Sequence, residues 1–150
     1  MKKELLAQVA SQLQAELDHL RVSVKAAVEA ATSEESRPEN EYDTRALEAS
    51  YLAAAQGKRA AELERMVKAL AEFPATSSAE AGSGSLLEAQ SEGQTLRYFL
   101  LPFGAGLSVS SGGKKFTVVS LDSPLGQAFR GKRAGDMFEF SRPGSTKEYE

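Results

Sequence analysis

The stretch LLAQVASQLQAELDHLRVSVKAA, residues 5–27, carries the pattern that decides the fold. Apolar residues recur in it every seven positions, in one series of Leu6, Leu13, Leu20 and Ala27 and a second, continuing past the stretch, of Ala10, Leu17, Val24 and Ala31. Heptads of this kind, with good helix formers between them, are typical of a coiled-coil helix. A second such helix is predicted downstream, with the seam residues Ala49, Gln56, Leu63 and Leu70 and, between them, Ala53, Ala60 and Val67.

The two seams match if the chain folds back on itself. Pairing Leu6 with Leu70 and Leu13 with Leu63 gives a constant sum of residue numbers, 76, and the interleaved series gives 77. A constant sum is what an antiparallel pair requires, and it places the turn near Pro38, within the non-helical segment TSEESRPEN. We therefore predict a helical hairpin over residues 1–73, with its tip at about residues 33–43.

The second half of the chain changes in composition. Residues 74–84 are small and polar and are predicted to form a flexible linker. Residues 85–150 are rich in Gly, Ser, Val and Phe, and strands are predicted at 95–101, 105–110, 115–121, 137–141 and 147–150. Ser123 suits a helix N-cap and Pro124 a first helical position, so a short helix follows the third strand. Gly135 and Asp136 predict a turn into the next strand. The predicted fold class is α+β, a helical hairpin plus an antiparallel β domain with one short helix.

Composition excludes several classes of protein. The chain has 150 residues and a formal net charge of -3, without the basic excess of a general nucleic-acid binder. It has no cysteine, which excludes disulfides and thiolate metal sites. No apolar run approaches the length of about 18 residues that a membrane span needs. We expect a cytoplasmic protein with no membrane contact, and we assign no role to His19, its single histidine.

The segment SPLGQAFRGKRAGD, residues 123–136, closely resembles the most recognisable segment of the Gre transcript-cleavage factor family. The preceding YFLLPFGAGLSVSSGGKKFTVVS, residues 98–120, is also similar to the carboxyl-terminal domain of that family. The resemblance implies that residues 85–150 form an FKBP-like domain that docks on bacterial RNA polymerase. It further implies that the hairpin enters the secondary channel of the polymerase, close to the 3′ end of the RNA. The residues implied for polymerase binding are Ser123, Pro124, Leu125 and Gly126.

The family also implies a role for acidic residues at the hairpin tip, which help the polymerase to hold a second Mg²⁺ ion and hydrolyse its own backtracked RNA. The chain itself is then a monomer without enzyme activity or a stably bound cofactor, and any Mg²⁺ is shared with the polymerase. Gre factors that stimulate cleavage resemble Asp-Leu-x-Glu-Asn-Ala-Glu-Tyr at this tip. Here Glu39-Asn40-Glu41-Tyr42 echoes that pattern with one residue missing, so the carboxylate pair does not carry over intact.

The residues at the tip support two interpretations. Glu39, Glu41 and Asp43 alternate, so they would share one side of an extended loop and offer the hard oxygen ligands that Mg²⁺ prefers. The alternative is that they only solvate the turn, with Asp43 or Thr44 capping the second helix. The three residues are therefore tentative metal ligands.

The predicted function is that of a transcription factor that acts through the secondary channel of RNA polymerase and modulates elongation or initiation. In one version the tip acids support RNA cleavage, and in the other, which the altered tip favours, the hairpin acts without cleavage. Two other classes stay open: an FKBP-like peptidyl-prolyl isomerase or chaperone module, and a non-catalytic coiled-coil adaptor. The absence of Trp argues against the isomerase, which a peptide isomerisation assay would test.

Overall fold

Two long helices, α1 (Lys2–Thr32) and α2 (Arg45–Ala71), come first in the chain and confirm the predicted helical hairpin. The structure, a computed structural model, describes residues 1–33, 37, 39, 44–142 and 145–149, and only the backbone of residues 141, 142 and 145–148. The remaining elements are β1 (Leu86–Ser91), β2 (Gln94–Leu101), β3 (Ser108–Ser111), β4 (Lys114–Ser120), α3 (Pro124–Phe129), β5 (Phe138–Arg142) and β6 (Ser145–Tyr149). Among the described residues, no helix is both long and apolar enough to span a bilayer.

The chain forms two compact units. One, called the hairpin unit below, is Ala10–Ala69, and the other, the β unit, is Met1–Val9 together with Leu70–Glu150. The boundaries of these units differ from the predicted domain boundaries at residues 73 and 84. The first turns of α1 and the end of α2 belong to the same compact unit as the β domain.

The register of the hairpin differs from the predicted one. Arg21 pairs with Glu64 at 3.6 Å, and Arg59 pairs with Glu16 at 3.2 Å. The residue numbers of these two pairs add to 85 and 75. In an antiparallel hairpin, ion pairs on the two sides of the seam have sums that lie equally far above and below the sum of the residues facing each other in the seam. The register sum is therefore close to 80 rather than 76 or 77. A sum of 80 places Leu17, which is 2% exposed, opposite Leu63, which is 0% exposed.

A sum of 80 also fits the same heptads. It pairs residues of the first heptad series in α1 with residues of the second series in α2, and the second series in α1 with the first series in α2. It puts Val24 opposite Gln56, whose side-chain Oε1 is buried without a hydrogen-bond partner. A buried acceptor without a partner costs about 1–3 kcal/mol. This polar layer, together with the alanines at neighbouring seam positions, makes the distal part of the hairpin its less stable part.

Disulfide cross-linking tests this register. The variant Ala27→Cys/Ala53→Cys is expected to oxidise readily to an intramolecular disulfide, because the register sum of 80 places these two residues opposite each other. The variant Ala27→Cys/Ala49→Cys, which follows the sum of 76, should not form a disulfide. Its second thiol lies four residues from position 53, which is about 6 Å along the helix from the position opposite residue 27. Mass spectrometry after mild oxidation would measure both, and the chain has no native cysteine to compete. The opposite pattern would restore the predicted register.

The first strand of the β unit was not predicted from the sequence. β1 has the sequence LLEAQS, whose Leu, Glu, Ala and Gln favour helix over strand. It forms a strand because the tight turn at Glu92 and Gly93, both at positive φ (51° and 75°), returns the chain onto β2. All six residues of β1 then pair with β2, from Leu86 with Phe99 to Ser91 with Gln94.

The sheet is mixed, and the prediction that it is antiparallel throughout was wrong. The strand order is β1-β2-β4-β3, and β2 runs parallel to β4, with Tyr98 next to Thr117 and Leu101 next to Ser120. The parallel pair arises because β3 returns the chain to the start of β4, which then inserts between β2 and β3. β5 and β6 form a separate antiparallel pair. The FKBP-like architecture of this domain stays a prediction.

The start of α1 covers the outer edge of this sheet. The Gln8 side chain accepts a hydrogen bond from the Ser110 N–H (2.8 Å) and donates one to the Ser110 carbonyl (2.5 Å), so it pairs with β3 as a further strand would. The Ser111 hydroxyl donates to the Glu4 carboxylate at 2.5 Å, and Leu5 and Val9 are fully buried. An edge strand covered in this way is protected from pairing with other chains.

Candidate functional site

The helix α3 begins on the cap that its sequence predicts. Ser123 has extended backbone angles (φ −69°, ψ 156°), and its Oγ accepts a hydrogen bond from the Gly126 N–H at 3.0 Å. The same hydroxyl donates to the Ser120 carbonyl at 2.6 Å, and Pro124 occupies the first helical position. The cap therefore fastens the start of α3 to the end of β4.

Gly126 is required by the close approach of α3 to β4. A Cβ added at this position would lie 2.0 Å from the Ser120 carbonyl oxygen and 2.9 Å from the Leu121 Cα. No side chain fits at this distance from backbone atoms. The glycine of the Ser-Pro-Leu-Gly sequence therefore has a complete structural explanation.

The opposite face of α3 packs into the core of the β unit. Phe129 is 4% exposed and contacts Tyr98, Phe138 and Tyr149, with ring centroids 5.3, 5.1 and 5.8 Å away. Leu125 packs against the same buried cluster. These aromatic side chains form part of the core of the β unit.

The chain leaves α3 through a segment held by backbone hydrogen bonds. The Gly131 N–H donates to the Ala81 carbonyl and the Ala81 N–H donates to the Lys132 carbonyl, both at 2.8 Å. Arg133 also forms a salt bridge with Glu80. Residues 80 and 81 are therefore anchored to the loop after α3, which corrects the prediction of a flexible linker throughout residues 74–84.

The predicted turn at Gly135 and Asp136 is present. The Asp136 carboxylate accepts a hydrogen bond from the Arg133 N–H at 2.8 Å, and the Asp136 N–H donates to the Arg133 carbonyl at 3.0 Å. Gly135 has a φ of +92°, which favours glycine. The whole segment 123–136 is thus built from local capping and turn chemistry.

The exposed part of α3 is a single stripe. Pro124 and Gln127 are exposed, and so is Arg130, the residue directly after the helix. The three are spaced three residues apart, so they lie along one side of α3 and its C-terminal end. Of the four residues predicted to bind a partner, only Pro124 is on this stripe, because Ser123 and Leu125 are half-buried and Gly126 is buried. Gln127 and Arg130 were not among the residues predicted to bind a partner, although their spacing from Pro124, away from the apolar Leu125 and Phe129, indicates that they share its side of the helix.

The tip of the hairpin unit holds the predicted metal ligands. Glu41 and Asp43 lie outside the described residues. Glu39 is exposed, and its carboxylate pairs with the Arg45 guanidinium at 3.7 Å. Across the described part of the chain, no group of three or more His, Cys, Asp or Glu side chains could hold a metal ion.

The residue before α2 is bonded to the first turns of that helix. The Thr44 carbonyl accepts a hydrogen bond from the Glu48 N–H at 2.8 Å, and the Thr44 hydroxyl donates to the Glu48 carboxylate at 2.9 Å. These contacts place Thr44 at the start of α2, and a side-chain cap on a backbone N–H stays a prediction.

No family model and no curated protein sequence matches this chain. Among solved structures, it is similar to the transcription factor Gfh1 at 23% identity, covering 97% of this chain and 90% of that one, with a TM-score of 0.39. It is also similar to GreA factor homolog 1 (Gfh1) of Thermus thermophilus, at 21% identity, 93% and 90% coverage and a TM-score of 0.37. It is similar to Thermus aquaticus Gfh1 at 23% identity, covering 98% of this chain and 91% of that one, with a TM-score of 0.38.

The two candidate sites lie in different compact units: Ser123–Gly126 belong to the β unit, and Glu39 belongs to the hairpin unit. The predicted metal ligands and the predicted partner-binding residues are therefore not brought together in one site.

Proposed function

We propose that this chain is a Gre-like transcription factor that binds bacterial RNA polymerase through its β unit and acts through the secondary channel with its helical hairpin. The observation that carries the proposal is the construction of α3. Its cap and its glycine fix a short helix against the sheet, and the side chains of Pro124, Gln127 and Arg130 are left exposed along one side. A rigid, exposed helix face of this kind suits binding to a partner protein.

The same proposal favours modulation of the polymerase without RNA cleavage. The Glu39 carboxylate is paired with Arg45, and that pairing competes with Mg²⁺ for the oxygen ligands. The chain itself has no enzyme activity in this proposal, and any Mg²⁺ at the tip is shared with the polymerase. The protein modulates elongation or initiation by occupying the channel.

Binding to core RNA polymerase tests the α3 stripe. The variant Gln127→Ala/Arg130→Glu is expected to weaken binding by about tenfold or more, because it removes one polar contact and reverses one charge in the interface. The matched control is Lys114→Glu, which reverses an exposed charge at the first residue of β4 and should leave the affinity unchanged. Fluorescence anisotropy of the labelled protein would measure all three affinities.

RNA cleavage in stalled, backtracked complexes with Mg²⁺ separates the two versions of the function. The tip variant Glu39→Ala/Glu41→Ala/Asp43→Ala would be compared with the unchanged protein. Binding without cleavage in either protein is the expected result. Cleavage that the tip variant loses would instead identify the tip acids as metal ligands, and failure of the unchanged protein to bind polymerase would overturn the proposed function.

A further inference from the structure

A cleft of about 350 Å³ lies within the β unit, apart from the exposed stripe of α3. Its walls are residues 77–81, the start of β1 at residues 85–89, and the loop at residues 132–136. Phe129 and Phe138 line it as well, with their rings 5.1 Å apart in an edge-to-face contact. The cleft therefore combines an aromatic surface with a strand edge and a polar loop.

Among the described residues, two cations that line this cleft have no carboxylate partner, Lys2 and Lys132, and one carboxylate, Asp136, has no cationic partner. The Lys2 ammonium donates to the Thr76 carbonyl, whereas the Lys132 ammonium lies next to the aromatic surface. Arg133 is neutralised by Glu80, and Glu88 is neutralised by Arg97 at 2.9 Å. The Lys132 ammonium lies 5.7 Å from the centre of the Phe138 ring, and no ion pair joins it to a carboxylate within the described residues. A half-buried ammonium without a counter-ion favours an anionic ligand.

The strand edge in the cleft has backbone groups that its neighbouring strand does not use. In the described part of the chain, β1 is hydrogen-bonded to one strand, β2. The Ser85 carbonyl accepts a hydrogen bond from the Leu100 N–H at 2.9 Å. Because antiparallel pairs alternate between bonded and non-bonded residues, the backbone groups of Leu86 and Glu88 turn away from β2. Both of these residues line the cleft.

We propose that this cleft binds an extended peptide segment in which an acidic side chain is next to apolar ones. The peptide backbone would pair with the free edge of β1, as in other proteins that bind peptides by strand addition. Its carboxylate would lie at the Lys132 ammonium, and an apolar side chain would pack against Phe138. The proposal does not depend on the polymerase as partner, since it rests on the cleft alone.

Titration of the full-length, ¹⁵N-labelled chain with a synthetic peptide tests this site. The probe is acetyl-Gly-Val-Glu-Val-Gly-amide, and its partner probe has Gln in place of Glu. Saturable shifts are expected in the amide signals of Leu86, Glu88 and Lys132, with the Glu peptide binding about fivefold to tenfold more tightly than the Gln peptide. That preference should disappear in Lys132→Gln and persist in Lys132→Arg.

The control variant Lys114→Gln removes a lysine charge at an exposed position outside the cleft and should keep the preference for the Glu peptide. Four results would overturn the proposal: no saturation at millimolar peptide, equal affinity for the two peptides, shifts confined to residues outside the cleft, or an unchanged preference in Lys132→Gln. Because no polymerase is present, the result is separate from that of the polymerase experiments.

Discussion

Replacement of Gly126 by alanine is expected to lower the free energy of unfolding by about 3 kcal/mol or more, near or above the top of the usual range for overpacking. The added Cβ would lie 2.0 Å from the Ser120 carbonyl oxygen. Relief requires α3 to move away from β4, because the conflicting atoms belong to the backbone and not to a flexible side chain. Such a movement would break the Ser123 cap and withdraw Phe129 from the aromatic core.

Urea unfolding measures this effect, with the near-ultraviolet circular dichroism of Tyr98 and Tyr149 as a probe of the aromatic core. The matched control is Gly82→Ala, since a Cβ at Gly82 meets nothing within 4 Å and the residue has no positive φ. It should change stability by less than about 0.5 kcal/mol. If Gly126→Ala is as stable as Gly82→Ala, the close approach of α3 to β4 is not present in solution.

The second large effect is expected at the centre of the hairpin seam. Leu63→Ala should destabilise the hairpin unit by about 3 kcal/mol, since Leu63 is fully buried and truncation of a buried leucine typically costs 2–5 kcal/mol. The hairpin is sensitive to this change because three of the six other seam positions in α2, Ala49, Ala53 and Ala60, are already small. The loss of Leu63 would leave Leu17, its partner in the corrected register, packed against a cavity.

Thermal unfolding followed by the helical circular dichroism signal measures this loss. Leu47→Ala is the control, because it removes the same atoms from a leucine in the same helix that is 52% exposed. It should change stability by less than about 0.5 kcal/mol. Equal effects of the two variants would mean that Leu63 does not lie in the seam, and the antiparallel packing itself would then be wrong.

Features with a strong local signal were predicted correctly from the sequence. The heptads predicted both helices of the hairpin, because a seam repeats every seven residues whatever it packs against. Ser123 and Pro124 predicted the start of α3, because a cap satisfies backbone groups within the same turn. The turn at Gly135 and Asp136 was predicted for the same reason, since its hydrogen bonds join residues only three apart.

The candidate sites were predicted less completely. The sequence located the segment that forms α3, but it selected Ser123, Leu125 and Gly126, which are partly or fully buried by packing. The exposed residues Gln127 and Arg130 became apparent only when the packed face of the helix was known. Lys132 was not singled out at all. Its proposed role in binding depends on the Phe138 ring and on the edge of β1, and the sequence around Lys132 does not show that these two features lie beside it.

The tertiary structure alone decided which residues meet across the chain. The heptads allow a register sum of 76 or 77 and also one of 80, because both keep apolar residues facing each other, and the ion pairs Arg21–Glu64 and Glu16–Arg59 select the latter. The sequence LLEAQS favours a helix, yet its pairing with β2 makes it a strand. Local propensity amounts to tenths of a kcal/mol per residue, so six pairings along a neighbouring strand outweigh it. The sequence by itself thus determined the two long helices, the start of α3 and the local turns. The packing between elements determined the strand β1, the register, the mixed sheet and the position that only glycine can occupy.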